Sequence, residues 1–324
     1  MRLWRGLAVA LVVSGAAVVA GGPATAQASP PSAPGYWLVG ADGGVFAFNA
    51  PFYGSGAATG ACAFNPQTPS TLNPLLGCSA MASTPTGTGY WLVNAYQWPR
   101  AFGGAGSTDQ SGCTSLNGAM GSWTGIASSA TGQGFVMVSA NGGVVGCGDA
   151  VPDGGLTDRA LTKPVVGIAP TPDHHVYWLV AADGGVFAFG DAGYFGSMGG
   201  QPLNAPVVGM AATPDGRGYW LVAADGGIFA FGDAGYMGSM GGRPLDAPVV
   251  GMAATQNGLG YWLAAADGGV FAFGSAPFEG SMGGQALRGP IVGIALHQVA
   301  CGDLEVAGGR VSGRAGAGGP TGFC

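Results

Sequence analysis

Charged side chains are scarce in this chain. Asp, Glu, Lys and Arg together make up 8% of the 324 residues, and only 10 residues are Lys or Arg. These basic residues are spread thinly along the sequence, whereas proteins that bind nucleic acid cluster Lys and Arg to neutralise phosphates. The composition therefore argues against nucleic acid, and against an anionic membrane surface, as a partner.

Histidine is also scarce, and the residues that catalysis or metal binding requires do not cluster. The three imidazoles belong to His174, His175 and His297, and the first two fall in a turn that we expect to face solvent. No C-x-x-C and no paired Cys/His spacing is present, so the sequence predicts no metal site and no cofactor. The recurring Gly-Ser-Met-Gly tetrapeptide, as at Ser239, lacks the G-x-S-x-G spacing of a nucleophile elbow.

No apolar run is long enough for a dependable membrane span, which needs about 20 residues. The run from Leu7 to Ala20 follows two arginines and precedes an A-x-A site that ends at Ala26 or Ala28. This order predicts a secretory signal peptide over residues 1–28, followed by a Pro/Ser leader over residues 29–35. We expect the mature protein to be secreted, extracellular or associated with the cell wall.

What the chain does contain is glycine and a repeat. The 66 glycines disfavour helices, and no segment shows a helical period. The segment Gly218–Gly232 recurs nearly unchanged around Trp178 and Trp262, at a period of 42 residues, and in weaker copies around Trp37, Trp91 and Val136. Each copy contains short β-branched or aromatic runs bounded by Gly, Pro or Asp, which predicts three to four strands. The mid-strand Tyr-Trp pair is interpreted as core rather than as a sugar platform.

An Asp-Gly dipeptide in the strong copies predicts the hairpin turn. If Asp225 and Gly226 are the two central residues of a type I′ turn, Trp220 faces Phe231 across the hairpin. A turn at Gly226-Gly227 would reassign the faces of the strands. The recurring Asp is interpreted as a turn former rather than as a cation ligand, because Asp-Gly is what a tight turn requires.

Counting strands predicts that the chain closes on itself. A strand of the Val-Val-Gly-Met type lies 13 residues before the anchor of each copy, except before Trp37, where this offset falls in the signal peptide. The missing strand reappears as Ile291 to Ile294, with no hairpin after it. We therefore predict an all-β fold: a six-bladed β-propeller of 42-residue repeats over residues 36–297, closed by a C-terminal strand that completes the first blade.

Six cysteines in an exported chain predict up to three disulfides. All of them lie outside the three clean copies of the repeat, and the last two bracket a Gly-rich tail that we assign to residues 298–324. Proximity in the sequence favours three pairs, although other pairings stay open: Cys62 with Cys78, Cys113 with Cys147, and Cys301 with Cys324.

The second copy departs from the pattern in a way that suggests a binding site. A gap-free alignment with the later copies places Tyr96 and Trp98 at the Asp-Gly-Gly turn and puts Arg100 in the place of a Phe. Exposed aromatic side chains beside an arginine form a patch suited to a glycan or a protein. The alternative is that this copy is degenerate and that its aromatic side chains pack under the loop inserted before it.

The repeat resembles a known family. The phrases GYWLVAADGGIFAFGDA (residues 218–234) and APVVGMAATPDG (residues 205–216) are similar to a repeat that is widespread in exported actinobacterial proteins. The likeness is close over residues 164–295 and partial over residues 35–160. In that family the repeats look like a propeller and are often attached to cell-wall hydrolases, peptidases or esterases. The resemblance implies association with the cell surface or wall, and no specific catalysis.

Three hypotheses of function follow. We favour a secreted, non-catalytic module that binds cell-envelope glycan or an extracellular protein through Tyr96, Trp98 and Arg100. The alternative is an extracellular hydrolase of the esterase or glycosidase type, with a site in the channel or on irregular loops, which requires carboxylates to converge on His175. The third hypothesis is a structural spacer. Tyr96 and Trp98 on an open surface would favour binding.

Overall fold

The computed structural model describes residues 34–60, 62, 77–109, 113–116 and 122–298. The predicted signal peptide and nearly all of the leader and the tail lie outside them. The described residues form nineteen strands and one short helix, α1 (Gly56–Thr59). The strands are β1 (Gly35–Gly40), β2 (Val45–Phe48), β3 (Cys78–Ser83), β4 (Gly89–Asn94), β5 (Arg100–Gly103), β6 (Thr114–Leu116), β7 (Trp123–Ser128), β8 (Phe135–Ser139), β9 (Val144–Cys147), β10 (Val165–Pro170), β11 (Tyr177–Ala181), β12 (Val186–Phe189), β13 (Val207–Ala212), β14 (Gly218–Ala223), β15 (Ile228–Gly232), β16 (Val249–Ala254), β17 (Gly260–Ala265), β18 (Val270–Gly274) and β19 (Ile291–His297).

These strands form six antiparallel sheets, one for each copy of the repeat, and the all-β prediction is confirmed. Five sheets have three strands, in an order such as β13-β14-β15, and the sheet of the third copy adds β6 to give the order β6-β9-β8-β7. We call β3, β7, β10, β13, β16 and β19 the lead strands of their sheets. The segment from Tyr236 to Met240, which follows the last strand of the fifth sheet, contains no strand, so this copy has three strands of the three to four predicted.

The far end of the described chain completes the first sheet. Strand β19 pairs antiparallel with β1 and places Ala295 opposite Trp37. The fifth sheet has the same pairing, with Ala211 of its lead strand opposite Trp220. The prediction that the last strand supplies the lead strand missing from the first copy is confirmed.

The lead strands contact one another in the order of the sequence. Strand β3 contacts β7, and the series continues through β10, β13 and β16 to β19. Strand β19 in turn contacts β3, so that the series of contacts returns to its start.

The register of the hairpin differs from the prediction by one residue. Trp220 lies opposite Ala230, and Tyr219, not Trp220, lies opposite Phe231. The predicted pairing of Trp220 with Phe231 is therefore wrong. Each bulky Trp instead faces a small Ala of its own hairpin, which leaves room for its ring to contact the neighbouring sheet.

The turn itself explains this shift. Ala223 donates its N–H to the Gly227 carbonyl at 2.9 Å, so three residues rather than two form the loop. The loop residues are Ala224, Asp225 and Gly226, and only Gly226 has a positive φ, of 75°. A type I′ turn needs positive φ at both central residues. The Asp225 carboxylate accepts a hydrogen bond from the Gly227 N–H at 2.9 Å. Asp42, Asp183 and Asp267 make the same bond in their copies, as expected of turn formers.

The Tyr-Trp pairs form the core, as predicted. The five tryptophans of these pairs are fully buried, and the Trp220 indole N–H is satisfied by the Gly235 carbonyl at 2.7 Å. Four of the five Trp rings pack against the Tyr ring of the next sheet, as Trp220 does against Tyr261 with ring centroids 5.8 Å apart. The sixth and first sheets make the same contact through Trp262 and Tyr36, at 5.5 Å. Trp91 packs instead against Phe135 of the third sheet, also at 5.8 Å.

Two of the three predicted disulfides are present. Cys62 is bonded to Cys78, with Cα atoms 5.0 Å apart, and Cys113 is bonded to Cys147, with Cα atoms 4.1 Å apart. Both bonds lie in the irregular first three copies, where the aromatic pattern of the repeat is weakest. The other two cysteines, Cys301 and Cys324, lie outside the described residues.

Candidate functional site

The turn of the second copy lies where the gap-free alignment placed it. Arg100 is opposite Leu92, just as Phe229 is opposite Leu221 in the fifth copy, so an arginine takes the strand position of a phenylalanine. The Tyr96 side chain is 53% exposed, and Arg100 is exposed as well. Both side chains reach solvent.

Trp98 behaves differently from Tyr96. It is only partly exposed, and its ring packs against the ring of Trp123, with centroids 6.4 Å apart and planes at 44°. Trp98 therefore anchors the turn to the lead strand of the third sheet. Trp98 thus packs in part, and its partner is Trp123 of the third sheet. The alternative, that these aromatic side chains pack under the inserted loop, stays a prediction, because most of that loop lies outside the described residues.

Hydrogen bonds fix the turn on both sides. The Asn94 side-chain oxygen accepts from the Tyr96 N–H at 3.0 Å, and the Asn94 carbonyl accepts from the Gln97 N–H at 3.3 Å. The Ala95 carbonyl accepts from the Trp123 N–H at 2.8 Å. The Tyr96 ring offers a flat apolar face and the Arg100 guanidinium offers hydrogen-bond donors, so this turn can stack on a ligand and donate to it.

A cavity of about 630 Å³ collects the side chains that the hydrolase hypothesis requires. It lies between segments of the third and fourth copies, and the titratable side chains in its wall include Asp149, Asp153, Asp173, Asp191, His174 and His175. The His175 backbone N–H donates to the Asp173 carboxylate at 3.2 Å. The His175 ring makes no hydrogen bond to a carboxylate of the described residues. The cavity therefore brings the residues together without forming an acid–base pair.

The other side chains of this turn are engaged in holding it. His174 has a φ of 56°, and its Nδ1 lies 2.8 Å from the Ser128 carbonyl of the preceding sheet. Burial lowers the pKa of His174, so its ring is neutral at neutral pH. The Thr171 hydroxyl donates to Asp173 at 2.5 Å and lowers the pKa of that carboxyl. The expectation that this turn faces solvent holds for His175 and is wrong for His174, because His174 packs against the neighbouring copy.

A second cavity, of about 640 Å³, is lined by the lead strands of all six sheets. Its wall repeats one apolar position from sheet to sheet: Met81, Ile126, Ile168, Met210, Met252 and Ile294. Asp173 is the one carboxylate among its lining residues, and Thr171 already binds it. The wall thus holds no pair of carboxylates that could act as acid and base.

Four exposed aromatic side chains at equivalent positions were missed by sequence reasoning. They are exposed to 60%, 61%, 62% and 61% respectively: Phe52, Tyr194, Tyr236 and Phe278. Each follows the last strand of its sheet in a Gly-rich segment. The signal that could have found them is the 42-residue recurrence of an aromatic residue at Tyr194, Tyr236 and Phe278, outside any strand alternation.

The described residues contain no group of three or more His, Cys, Asp or Glu side chains placed to hold a metal ion. Within the same part of the chain, no helix is long and apolar enough to cross a membrane. Comparison with known proteins finds no protein family whose model matches the chain and no curated protein that matches it.

Proposed function

We propose that this protein is a secreted, non-catalytic binding module for a cell-envelope glycan, built on a closed six-bladed β-propeller. The pairing of β19 with β1 and the series of lead-strand contacts that returns from β19 to β3 support the propeller. Sheets that stack in this way leave few free edges, which suits an exported protein.

The observation that carries the proposed function is the exposure of Tyr96 on a fixed turn. Tyr and Arg are the residue types that contribute most to binding surfaces, and a rigid turn lowers the entropy lost on binding. The exposed Tyr96 side chain is not part of the core, whereas the Trp98 ring packs against Trp123. Tyr96 and Arg100 therefore contact the ligand, and Trp98 supports them with its exposed edge.

An extracellular or wall-associated location is part of this proposal. The predicted signal peptide over residues 1–28 and the resemblance to exported actinobacterial repeats both favour it. The two disulfides add support, because such bonds persist in oxidising compartments. Membership of that repeat family is likewise a proposal that rests on the quoted residues.

A hydrolase is the weaker candidate. Its best cavity contains His175, whose ring has no carboxylate partner among the described residues, and Asp173, which is engaged with Thr171. A structural spacer is also weaker, since it does not account for an exposed aromatic side chain on a turn that three hydrogen bonds fix.

The test is retention of the mature chain, residues 29–324, on purified actinobacterial cell wall and on a panel of polysaccharides. A Tyr96→Ala, Arg100→Ala variant is compared with Gln97→Ala, which changes an exposed residue of the same turn. We expect the double variant to lose at least about tenfold in affinity and Gln97→Ala to bind as wild type does.

Equal retention of all three proteins would overturn the assignment of the site. If the mature chain is retained by an extracellular protein and by no polysaccharide, the ligand is a protein and not a glycan. Release of soluble products from ester or glycoside substrates, abolished by His175→Ala, would favour the hydrolase.

A further inference from the structure

We infer that Phe52, Tyr194, Tyr236 and Phe278, here called the aromatic row, form a second binding surface that takes a linear, uncharged polysaccharide. The inference shares its class of ligand with the proposed function, but it depends on residues of other copies. The row belongs to the fourth, fifth, sixth and first copies, whereas Tyr96 lies in the second.

The four positions are equivalent in structure as well as in sequence. Each member of the row lies two residues before a glycine whose carbonyl accepts a hydrogen bond from the tyrosine hydroxyl of the next sheet. That hydroxyl in turn accepts from the N–H of the residue between them, at 3.1–3.3 Å. The glycine–tyrosine pairs, at 2.5–2.6 Å, are Gly54 with Tyr90, Gly196 with Tyr219, Gly238 with Tyr261, and Gly280 with Tyr36.

These bonds fix the backbone beside each member of the row relative to the next sheet. The backbone that carries the exposed rings therefore does not have to be ordered when a ligand arrives, which lowers the entropic cost of binding. The residue that follows a member packs inward, as Phe195 and Met237 do against the core. The members themselves stay exposed, so packing does not account for an aromatic residue at this position.

The members of the row lie on consecutive sheets. Contacts between lead strands join the fourth sheet to the fifth, the fifth to the sixth and the sixth to the first. The equivalent positions in the second and third copies carry Ser107, which is exposed, and Pro152, which is buried. The surface thus covers four consecutive sheets and ends on both sides.

The charge around the row disfavours anionic polymers as ligands. The segments that carry it, residues 49–56, 191–199, 233–241 and 275–283, contain no Lys or Arg, and the formal net charge of the chain is −6. Asp191 and Asp233 are exposed and lie three residues before Tyr194 and Tyr236 in the sequence, and their carboxylates can accept hydrogen bonds from the hydroxyls of a sugar. The negative face of an aromatic ring attracts the C–H groups of a sugar ring. A neutral glycan offers hydroxyls to the carboxylates and C–H groups to the aromatic rings.

The spacing favours a polymer over a protein. The row has one exposed aromatic ring on each sheet, and a whole repeat separates each ring from the next in the sequence. Rings distributed in this way do not form the close-packed apolar centre of a protein interface. A linear polymer with repeating units can contact several such rings at once. Each single contact is weak, and their linkage through one ligand raises the overall affinity.

The experiment measures binding of the mature chain to soluble neutral polysaccharides (hydroxyethylcellulose, xylan and laminarin) and to alginate as the anionic comparison, by affinity electrophoresis. The test variant is Tyr194→Ala, Tyr236→Ala. Leu259→Ala is the matched control, because Leu259 is a large exposed apolar side chain outside the row. Tyr236→Phe is the conservative variant, since two members of the row are already Phe.

We expect the double variant to lose at least about tenfold in affinity for a neutral polysaccharide, with Leu259→Ala and Tyr236→Phe close to wild type. The Tyr96→Ala, Arg100→Ala variant keeps the row intact, so residual binding by that variant separates this surface from the turn of the second copy. The inference is overturned if the row variant binds as wild type does, if alginate binds as well as the neutral polymers, or if wild type binds none of them.

Discussion

The Tyr36 hydroxyl donates a hydrogen bond to the Gly280 carbonyl at 2.6 Å, across 244 residues of sequence. Tyr219 and Gly196 make the same bond at 2.6 Å, although only 23 residues separate them. The sixth and first sheets are therefore joined by the same contact that joins neighbouring sheets within the run of repeats. This equivalence is the chemical argument for the closed ring that we propose.

Removing either hydroxyl tests that equivalence. In Tyr36→Phe and in Tyr219→Phe, a glycine carbonyl and a neighbouring N–H lose their partner, which costs about 1–3 kcal/mol for each buried group left unsatisfied. We expect the two variants to lower the free energy of unfolding in denaturant by similar amounts. Tyr236→Phe, at an exposed ring, serves as the control and should change it little. A negligible cost for Tyr36→Phe beside a clear cost for Tyr219→Phe would contradict closure.

The packing of the hairpin turn provides a second test, which compares two glycines of nearly the same φ: Gly226 in the turn and Gly242 outside it. Gly226 has a φ of 75°, and an added Cβ would lie 2.5 Å from the Met240 Cβ. Gly242 has a φ of 77° and nothing within 4 Å of an added Cβ. Gly242→Ala should cost about 1–2 kcal/mol for the left-handed backbone alone, and Gly226→Ala should cost more, because backbone must also move. Chemical denaturation measures both, and equal costs would mean that the turn is not packed against the segment of Met240.

The register of the hairpin could not be predicted from the sequence. An Asp-Gly dipeptide is compatible with a two-residue and with a three-residue turn, and the choice depends on whether Asp225 adopts a positive φ. The pairing of β19 with β1, in contrast, was predictable, because counting lead strands needs only the offset between repeated patterns within the chain. His174 could not be placed, since its partner, the Ser128 carbonyl, belongs to the preceding copy.

The aromatic row illustrates the same limit. Tyr236 and its equivalents lie in a segment with neither helical nor strand periodicity, so no pattern in the sequence says which way their side chains point. Exposure at these positions is decided by the hydrogen bonds of the next sheet, as between Gly238 and Tyr261. At the turn of the second copy, the alignment correctly placed Tyr96 at the surface, but it could not show that Trp98 packs against Trp123.

The disulfide between Cys113 and Cys147 leads to a third prediction. It connects the residue before β6 to the end of β9, in the one sheet of the described chain that has four strands. The bond closes a loop of 34 residues, and a loop of that size stabilises by about 3–4 kcal/mol in the chain-entropy account. Cys113→Ser, Cys147→Ser should lower the free energy of unfolding by an amount of that order. Unchanged stability would mean that β6 is dispensable to the fold.

His297 provides a prediction about pH. This residue ends β19 at the position where the sixth sheet has Thr255, whose hydroxyl bonds the Gly260 carbonyl at 2.9 Å. No hairpin follows β19 in the described chain, and His297 instead packs edge-on against Trp37, with ring centroids 5.1 Å apart. The ring is 5% exposed, and its Nδ1 has no hydrogen-bond partner among the described residues.

Burial lowers the pKa of His297 below its ordinary value of 6.5, because the charged form would be desolvated. The unfolded chain then binds the proton more readily than the folded chain, so stability rises with pH. This contribution is complete above the unfolded pKa and is lost as the pH falls through it toward the lower folded value. Comparing the free energy of unfolding of wild type and His297→Phe at pH 8 and pH 5 measures it, with His174 unchanged in both proteins. We expect wild type to lose more stability than the variant at pH 5. Identical losses would mean that the His297 ring is solvated in the folded protein. Water would then reach the contact between β19 and the first sheet.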